Sequence, residues 1–204
     1  MTSVLFLSAS PLGADARSHA TALAAVRRLR GSDPNLRLIE RDLTRLALGD
    51  ISRAYADAIV GRAPPDHPAF ALSETLIREI EAAQAIILAT PMHNFTVPAA
   101  LKVWIDLVLR AGRSFGIRDG RKVGLLADRP VTVVAASGSL LGPEARQPDH
   151  LTGYLTDVFA TMGIRDLSFT YLDGLADPER AAARLARARD RIAQDARFGA
   201  ARAI

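Results

Sequence analysis

Two serines and an arginine stand where an anion could be held. They lie in residues 8–18 (SASPLGADARS), which follow an apolar run and open a helical pattern. Ser10 and Ser18 offer hydroxyls that donate without adding charge, and Arg17 offers a positive fork. Amides and the dipole at a helix start favour a phosphate there. The segment has neither the GxGxxG of a dinucleotide loop nor the GK[ST] ending of an NTPase loop. A purely structural reading is also open, with Ser18 as an N-cap and a turn at Pro11 to Gly13. In a second loop, residues 90–98 (TPMHNFTVP), two prolines stiffen the backbone. Met92 and Phe95 can wall a flat conjugated ring, and Asn94 can donate to its edge and accept from it. In a third, residues 136–142 (ASGSLLG), Gly138 lets the backbone approach a planar ligand, and Ser137 and Ser139 add hydroxyls. Asn94 and His93 are the candidates for a direct part in chemistry, and no residue is assigned as a catalytic acid or base.

Each loop must be held at the end of a strand. Short apolar runs at 3–7, 36–41, 85–89, 131–135 and 166–171 predict five strands, most of them without the alternation of a half-exposed sheet. Helical spacing predicts helices over 18–30, 72–83, 98–111, 151–162 and 178–196, with a short one near 52–60. Residues 42–70 read as a long excursion over a ligand-facing edge. Residues 114–126, carrying Gly116, Gly120 and Gly124, read as a hairpin. Strands separated by helices imply an α/β, three-layer sandwich with a parallel sheet and helices on both faces. Five strands suit the flavodoxin-like order 2-1-3-4-5, with ligands beyond the carboxyl ends of the strands. The chain reads as one domain over residues 1–204.

Composition removes several alternatives. Among 204 residues there is no cysteine, which excludes disulfides, thiolate metal sites and Cys nucleophiles. His19, His67, His93 and His150 form no metal-binding pair, so no metal is expected. The net charge of +4 is carried by arginines interleaved with Asp and Glu, read as solvated helix faces and not as a nucleic-acid patch. No apolar run approaches the roughly 20 residues of a membrane span. The first ten residues show no basic leader. The reading is a soluble, cytoplasmic protein with no membrane or nucleic-acid partner.

The stretch 91–115 is the most specific. Pro91-Met92-His93-Asn94-Phe95, Pro98, Leu101-Lys102, Trp104-Ile105-Asp106, Arg110-Ala111-Gly112 and Ser114-Phe115 resemble the FMN-dependent NADH-azoreductases. These belong to the flavodoxin-like NAD(P)H–quinone oxidoreductases. The resemblance implies noncovalent FMN, NADH or NADPH as electron donor, and ping-pong reduction of quinones and azo compounds. It also implies a homodimer with each active site at the interface, for which Trp104 and Phe115 are candidate aromatics. Implied phosphate contacts fall on Ser10, Arg17 and Ser18. Implied ring contacts fall on Met92, His93, Asn94 and Phe95, and on Ser137, Gly138 and Ser139. Some members carry serine where this chain has Ala16 and tyrosine where it has His93. The hairpin reads as shortened after Phe115, with Ile117 where an aromatic can occur. A flavodoxin-like electron carrier, acting on protein partners, is the alternative reading.

Overall fold

The computed structural model describes residues 3–141, 145 and 147–194. Gly142 of the third loop and residues 195–196 of the expected last helix lie outside the described residues. Apolar runs with both faces covered make the centre of the sheet. β1 (Ser3–Ser8), β3 (Ala85–Pro91) and β6 (Val131–Ala136) are almost wholly buried, while β2 (Arg37–Asp42) and β7 (Leu167–Leu172) form the partly exposed edges. All pairings are parallel and the order is β2-β1-β3-β6-β7. With the two hairpin strands β4 (Phe115–Arg118) and β5 (Arg121–Gly124) set aside, this is the expected 2-1-3-4-5.

Successive side chains of a strand point to opposite faces, so the sheet divides its apolar residues between two cores. Leu5, Leu7, Ile86, Leu88 and Val133 face the side of α3 (Ala71–Ala82), α4 (Ala99–Val108) and α5 (Leu151–Met162), with Trp104 and Phe159. Val4, Phe6, Ile87, Ala89 and Val134 face α1 (Arg17–Ser32) and α6 (Pro178–Gln194). Trp104 is fully buried beside Phe159, with ring centroids 6.2 Å apart. It is therefore a core residue and cannot be an interface aromatic. Phe115 is half-buried, with the Lys122 ammonium 5.2 Å from its ring centroid.

The excursion over 42–70 contains the short helix expected near 52–60. It carries α2 (Arg53–Val60) and three single 3-10 turns, and it packs on the α3/α4 side. The Tyr55 hydroxyl donates to the Asp106 carbonyl (3.3 Å), and the Tyr55 and Phe70 rings meet edge to face. Arg110, expected inside a helix running to 111, instead lies just past the end of α4. It is 2 % exposed, with its guanidinium 4.7 Å from the Phe70 centroid, 3.2 Å from the Ser73 hydroxyl and 2.6 Å from Glu74. Arg113 joins Glu74 to Glu81, which closes a buried-to-surface ion network. At the hairpin tip, Asp119 (φ 51°) and Gly120 (φ 71°) form the two-residue Asp-Gly turn that a right-twisted hairpin favours.

Candidate active site

The start of α1 is built by the loop after β1. Ala9 continues the sheet by donating to the Ala89 carbonyl (2.9 Å). The chain then turns, with the Gly13 amide donating to the Ser10 carbonyl (3.0 Å) and the Leu12 amide to the Ser10 hydroxyl (3.3 Å). Ala16 takes the N-cap position and has no side chain to cap with. Ser18 is consequently inside the first turn and does not serve as the N-cap. Its hydroxyl is buried, at 1 % exposure, and has no hydrogen-bond partner. The amides of Arg17, Ser18 and His19 likewise find no acceptor among the described residues. An unsatisfied buried hydroxyl costs about 1–3 kcal/mol, and an anion's oxygens would supply the missing acceptors. Arg17 is exposed and donates across to the Leu175 carbonyl (3.1 Å), so it stands beside this position, braced against the β7–α6 loop.

The second and third loops share one cavity. Pro91 closes β3 opposite Ala136, and the Met92 amide donates to the Ala136 carbonyl (2.7 Å). His93 and Thr96 then exchange backbone hydrogen bonds of 2.9 and 3.0 Å around a tight turn. The two central residues, Asn94 (φ 47°) and Phe95 (φ 73°), are both left-handed. Neither is glycine, and such geometry costs of order 1–3 kcal/mol per residue, which is characteristic of ligand-binding segments. In the third loop the Ser137 amide donates to the Leu172 carbonyl (2.8 Å), and the Ser139 amide to the Ser137 hydroxyl (3.2 Å). The cavity of ≈ 260 Å³ is lined by Met92, Asn94, Phe95, Ser137, Gly138 and Ser139, together with Leu140, Leu141, Gln147 and Pro148. Six of the expected ring contacts thus meet. The seventh, His93, is exposed and does not line the cavity. A Cβ on Gly138 would meet only the Ala176 methyl, at 3.7 Å, so glycine is not required by the protein at that position.

Several supporting residues escaped the sequence reading. Asp173 accepts from the Leu141 amide (3.0 Å) and is held by Arg184 (2.5 Å), which fixes the far wall of the cavity. Asp149 accepts from the amides of Leu151 and Thr152, each at 2.9 Å, and from the Thr152 hydroxyl. Thr152 in turn lies 2.6 Å from the Tyr171 hydroxyl. Burial pushes the Tyr171 pKa up, which keeps that hydroxyl protonated and able to donate. The Asp-x-x-Thr spacing ahead of an apolar helix was the available signal for this cap.

The geometry fits what the chain is similar to. A family model described as flavodoxin-like fold matches residues 2–196. FMN-dependent NADH:quinone oxidoreductase 5 of Burkholderia lata is 47% identical over 182 residues, 89% of each chain. FMN-dependent NADH:quinone oxidoreductase 4 of Pseudomonas fluorescens is 49% identical over 176 residues, 86% of this chain and 85% of the relative. The chain belongs to this flavodoxin-like FMN-dependent NADH:quinone oxidoreductase family. The family's fold is also that of an azoreductase from Bacillus anthracis, which superposes with a TM-score of 0.81 at 23% identity over 98% of this chain and 99% of that one. No helix among the described residues is long and apolar enough to cross a membrane, and no described group of His, Asp and Glu could hold a metal ion.

Proposed function

We propose that this chain is a single-domain FMN oxidoreductase that passes two electrons from NADH to quinones, and to azo compounds, with donor and acceptor using one cavity in turn. The observation that carries the cofactor is the buried Ser18 hydroxyl, which among the described residues has no partner and stands beside three amides with no acceptor at the start of α1. A terminal phosphate would occupy that position, with Ser10 at the turn and Arg17 at its side. The ring would lie in the ≈ 260 Å³ cavity against Met92, Asn94 and Phe95 on one side and Ser137, Gly138 and Ser139 on the other. His93 would contact it through its backbone.

Bound FMN supplies the hydride and two-electron chemistry, and the protein supplies orientation and electrostatics. Asn94 presents an amide from a turn closed by the His93–Thr96 hydrogen bonds and braced by the His150 amide on the Phe95 carbonyl, so its dipole is set before reaction. The apolar faces of Met92 and Phe95, which line the cavity, would shield one side of the ring from water. The donor and acceptor named for the relatives support the substrate classes. A pyridine-nucleotide donor of the cell interior supports cytoplasmic work. We propose a homodimer whose interface completes each site, as the family resemblance implies, with exposed Leu12, Leu48, Ile117 and Leu125 as apolar side chains available to it.

The test is direct. The purified protein should be yellow, release FMN by mass, and bind FMN more tightly than FAD. Anaerobic NADH should bleach it, and a simple quinone added afterwards should restore the colour, in two separable half-reactions. A colourless protein that neither takes up FMN nor oxidises NADH with a quinone would refute the reading. Light scattering should give twice the chain's 21.9 kDa, and a fully active monomer would remove the dimer.

A further inference from the structure

The left-handed turn at Asn94–Phe95 has a long-range brace. The Phe95 carbonyl accepts a hydrogen bond from the His150 amide at 2.9 Å, 55 residues away in sequence and at the N-cap of α5. That amide lies between Asp149 and Leu151. Asp149 fixes the segment from one side, with its carboxylate on the amides of Leu151 and Thr152. The Thr152 hydroxyl, bonded both to Asp149 and to Tyr171 on β7, fixes it to the sheet. The same segment supplies Gln147 and Pro148 to the cavity wall.

We infer that Asp149 is a positioning residue for the ring-binding turn: by capping α5 it aims the His150 amide at the Phe95 carbonyl and holds Asn94 and Phe95 left-handed. The turn's own two hydrogen bonds, between His93 and Thr96, can form in other two-residue turns whose central residues carry less strain. The bond from His150 selects this one, because it requires the Phe95 carbonyl to face α5. Asp149 does not line the cavity and acts through the backbone. Its expected consequence for FMN rests on the function proposed above; its consequence for the turn does not.

Two measurements separate these. In the apoprotein, NMR should show strong intraresidue amide-to-Hα cross-peaks for Asn94 and Phe95, the mark of positive φ, and a protected His150 amide. In Asp149→Ala both cross-peaks should weaken and His150 exchange should speed up ten-fold or more, while amides in β3 and β6 stay protected. FMN affinity should fall about five- to ten-fold, with a changed shape of the long-wavelength flavin band. Asp149→Asn, whose amide oxygen still caps, should restore all four signals. His150→Pro removes the donor and leaves the Asp149 cap, and that amide makes no hydrogen bond within α5; it should reproduce the change at Asn94 and Phe95 even if Asp149→Ala does not fold. Unchanged Asn94 and Phe95 signals in a folded Asp149→Ala or His150→Pro would overturn the inference. So would an Asp149→Ala that lowers Tm while leaving FMN affinity and spectrum as they were. If the wild type binds no FMN, the proposed function fails, and the NMR arm still decides the role of Asp149.

Discussion

Two helix starts flank the proposed FMN site, and they use their free amides in opposite ways. At α1 the N-cap is Ala16, which offers no side-chain acceptor, and among the described residues the amides of Arg17, Ser18 and His19 find no acceptor beside a buried hydroxyl. At α5 Asp149 takes the amides of Leu151 and Thr152, and Phe95 takes that of His150. Both starts carry the partial positive charge of a helix N-terminus. At α5 that charge is neutralised by the protein's own carboxylate, which leaves no role there for an external anion. At α1 it is unanswered, at a stability cost that a bound phosphate would recover. The difference teaches that a helix start is identified as a ligand site by what the protein has declined to place there.

The sharpest way to break the comparison is to give α1 the acid that α5 has. Ser18→Asp puts a carboxylate among the open amides. It should keep the apoprotein folded and weaken FMN binding at least 100-fold, about 2.7 kcal/mol, by filling the position and repelling the phosphate. Titration calorimetry that finds FMN affinity within a few-fold of wild type would mean the phosphate lies elsewhere. Ser18→Ala is the milder form. It deletes one donor to the phosphate and an unsatisfied buried hydroxyl, so FMN affinity should fall about ten-fold while the apoprotein's stability holds or rises. Turnover at saturating FMN should change little, since a phosphate contact is the same before and during reaction. Arg17→Ala should cost less than Ser18→Ala, because Arg17 is exposed and already engaged with Leu175. The reverse order would show that Arg17 swings onto the phosphate when it binds.

The braced side of the comparison concerns rate. Asn94 lines the cavity and His93 does not. Asn94→Ala should therefore slow anaerobic flavin reduction at saturating NADH about ten-fold, near 1.4 kcal/mol. His93→Tyr should keep most of that rate and alter mainly acceptor preference. Stopped-flow traces with the opposite pattern would assign the chemistry to His93.

The sheet was legible because its centre is written in short aliphatic and β-branched runs such as IILA and VTVV, too short for helices and set between helical patterns. The cavity was legible because it lies at the strand ends where this topology concentrates ligands. What escaped was where breakers and charges act. The helix expected over 18–30 runs through Gly31 to Ser32, since an exposed Gly in a last turn costs only about 1 kcal/mol. Arg110 reads as one more surface arginine until Glu74, 36 residues earlier, is brought against it. The bond from the His150 amide, beside the Asp149 cap, to the Phe95 carbonyl joins segments 55 residues apart, which no local pattern encodes. Aromatic type alone makes Trp104 a candidate for an interface, because it does not say which way a helix is turned.

The smallest expected effect sets the conditions under which the two helix starts can be compared at all, because acid must not unfold the rest of the domain. Its weak point is Glu74. Hydrogen bonds from Arg113 and Arg110 hold the Glu74 pKa at about 2 against an ordinary value of 4.5, partly opposed by burial. Folding lowers this pKa, so the carboxylate's contribution is full above about 4.5 and is lost as pH falls toward about 2. The side chain is 19% exposed, so solvent screening trims the effect, and by pH 3 the loss should be about 1 kcal/mol. Urea melts at pH 7, 5 and 3 should therefore show a fall confined to the last step. Glu74→Gln should be less stable than wild type at pH 7, because it leaves Arg110 buried without its charge partner, and should lose less between pH 5 and 3. Equal acid sensitivity in the two proteins would move the titrating group elsewhere, with Glu81, also lowered by Arg113, the next to replace.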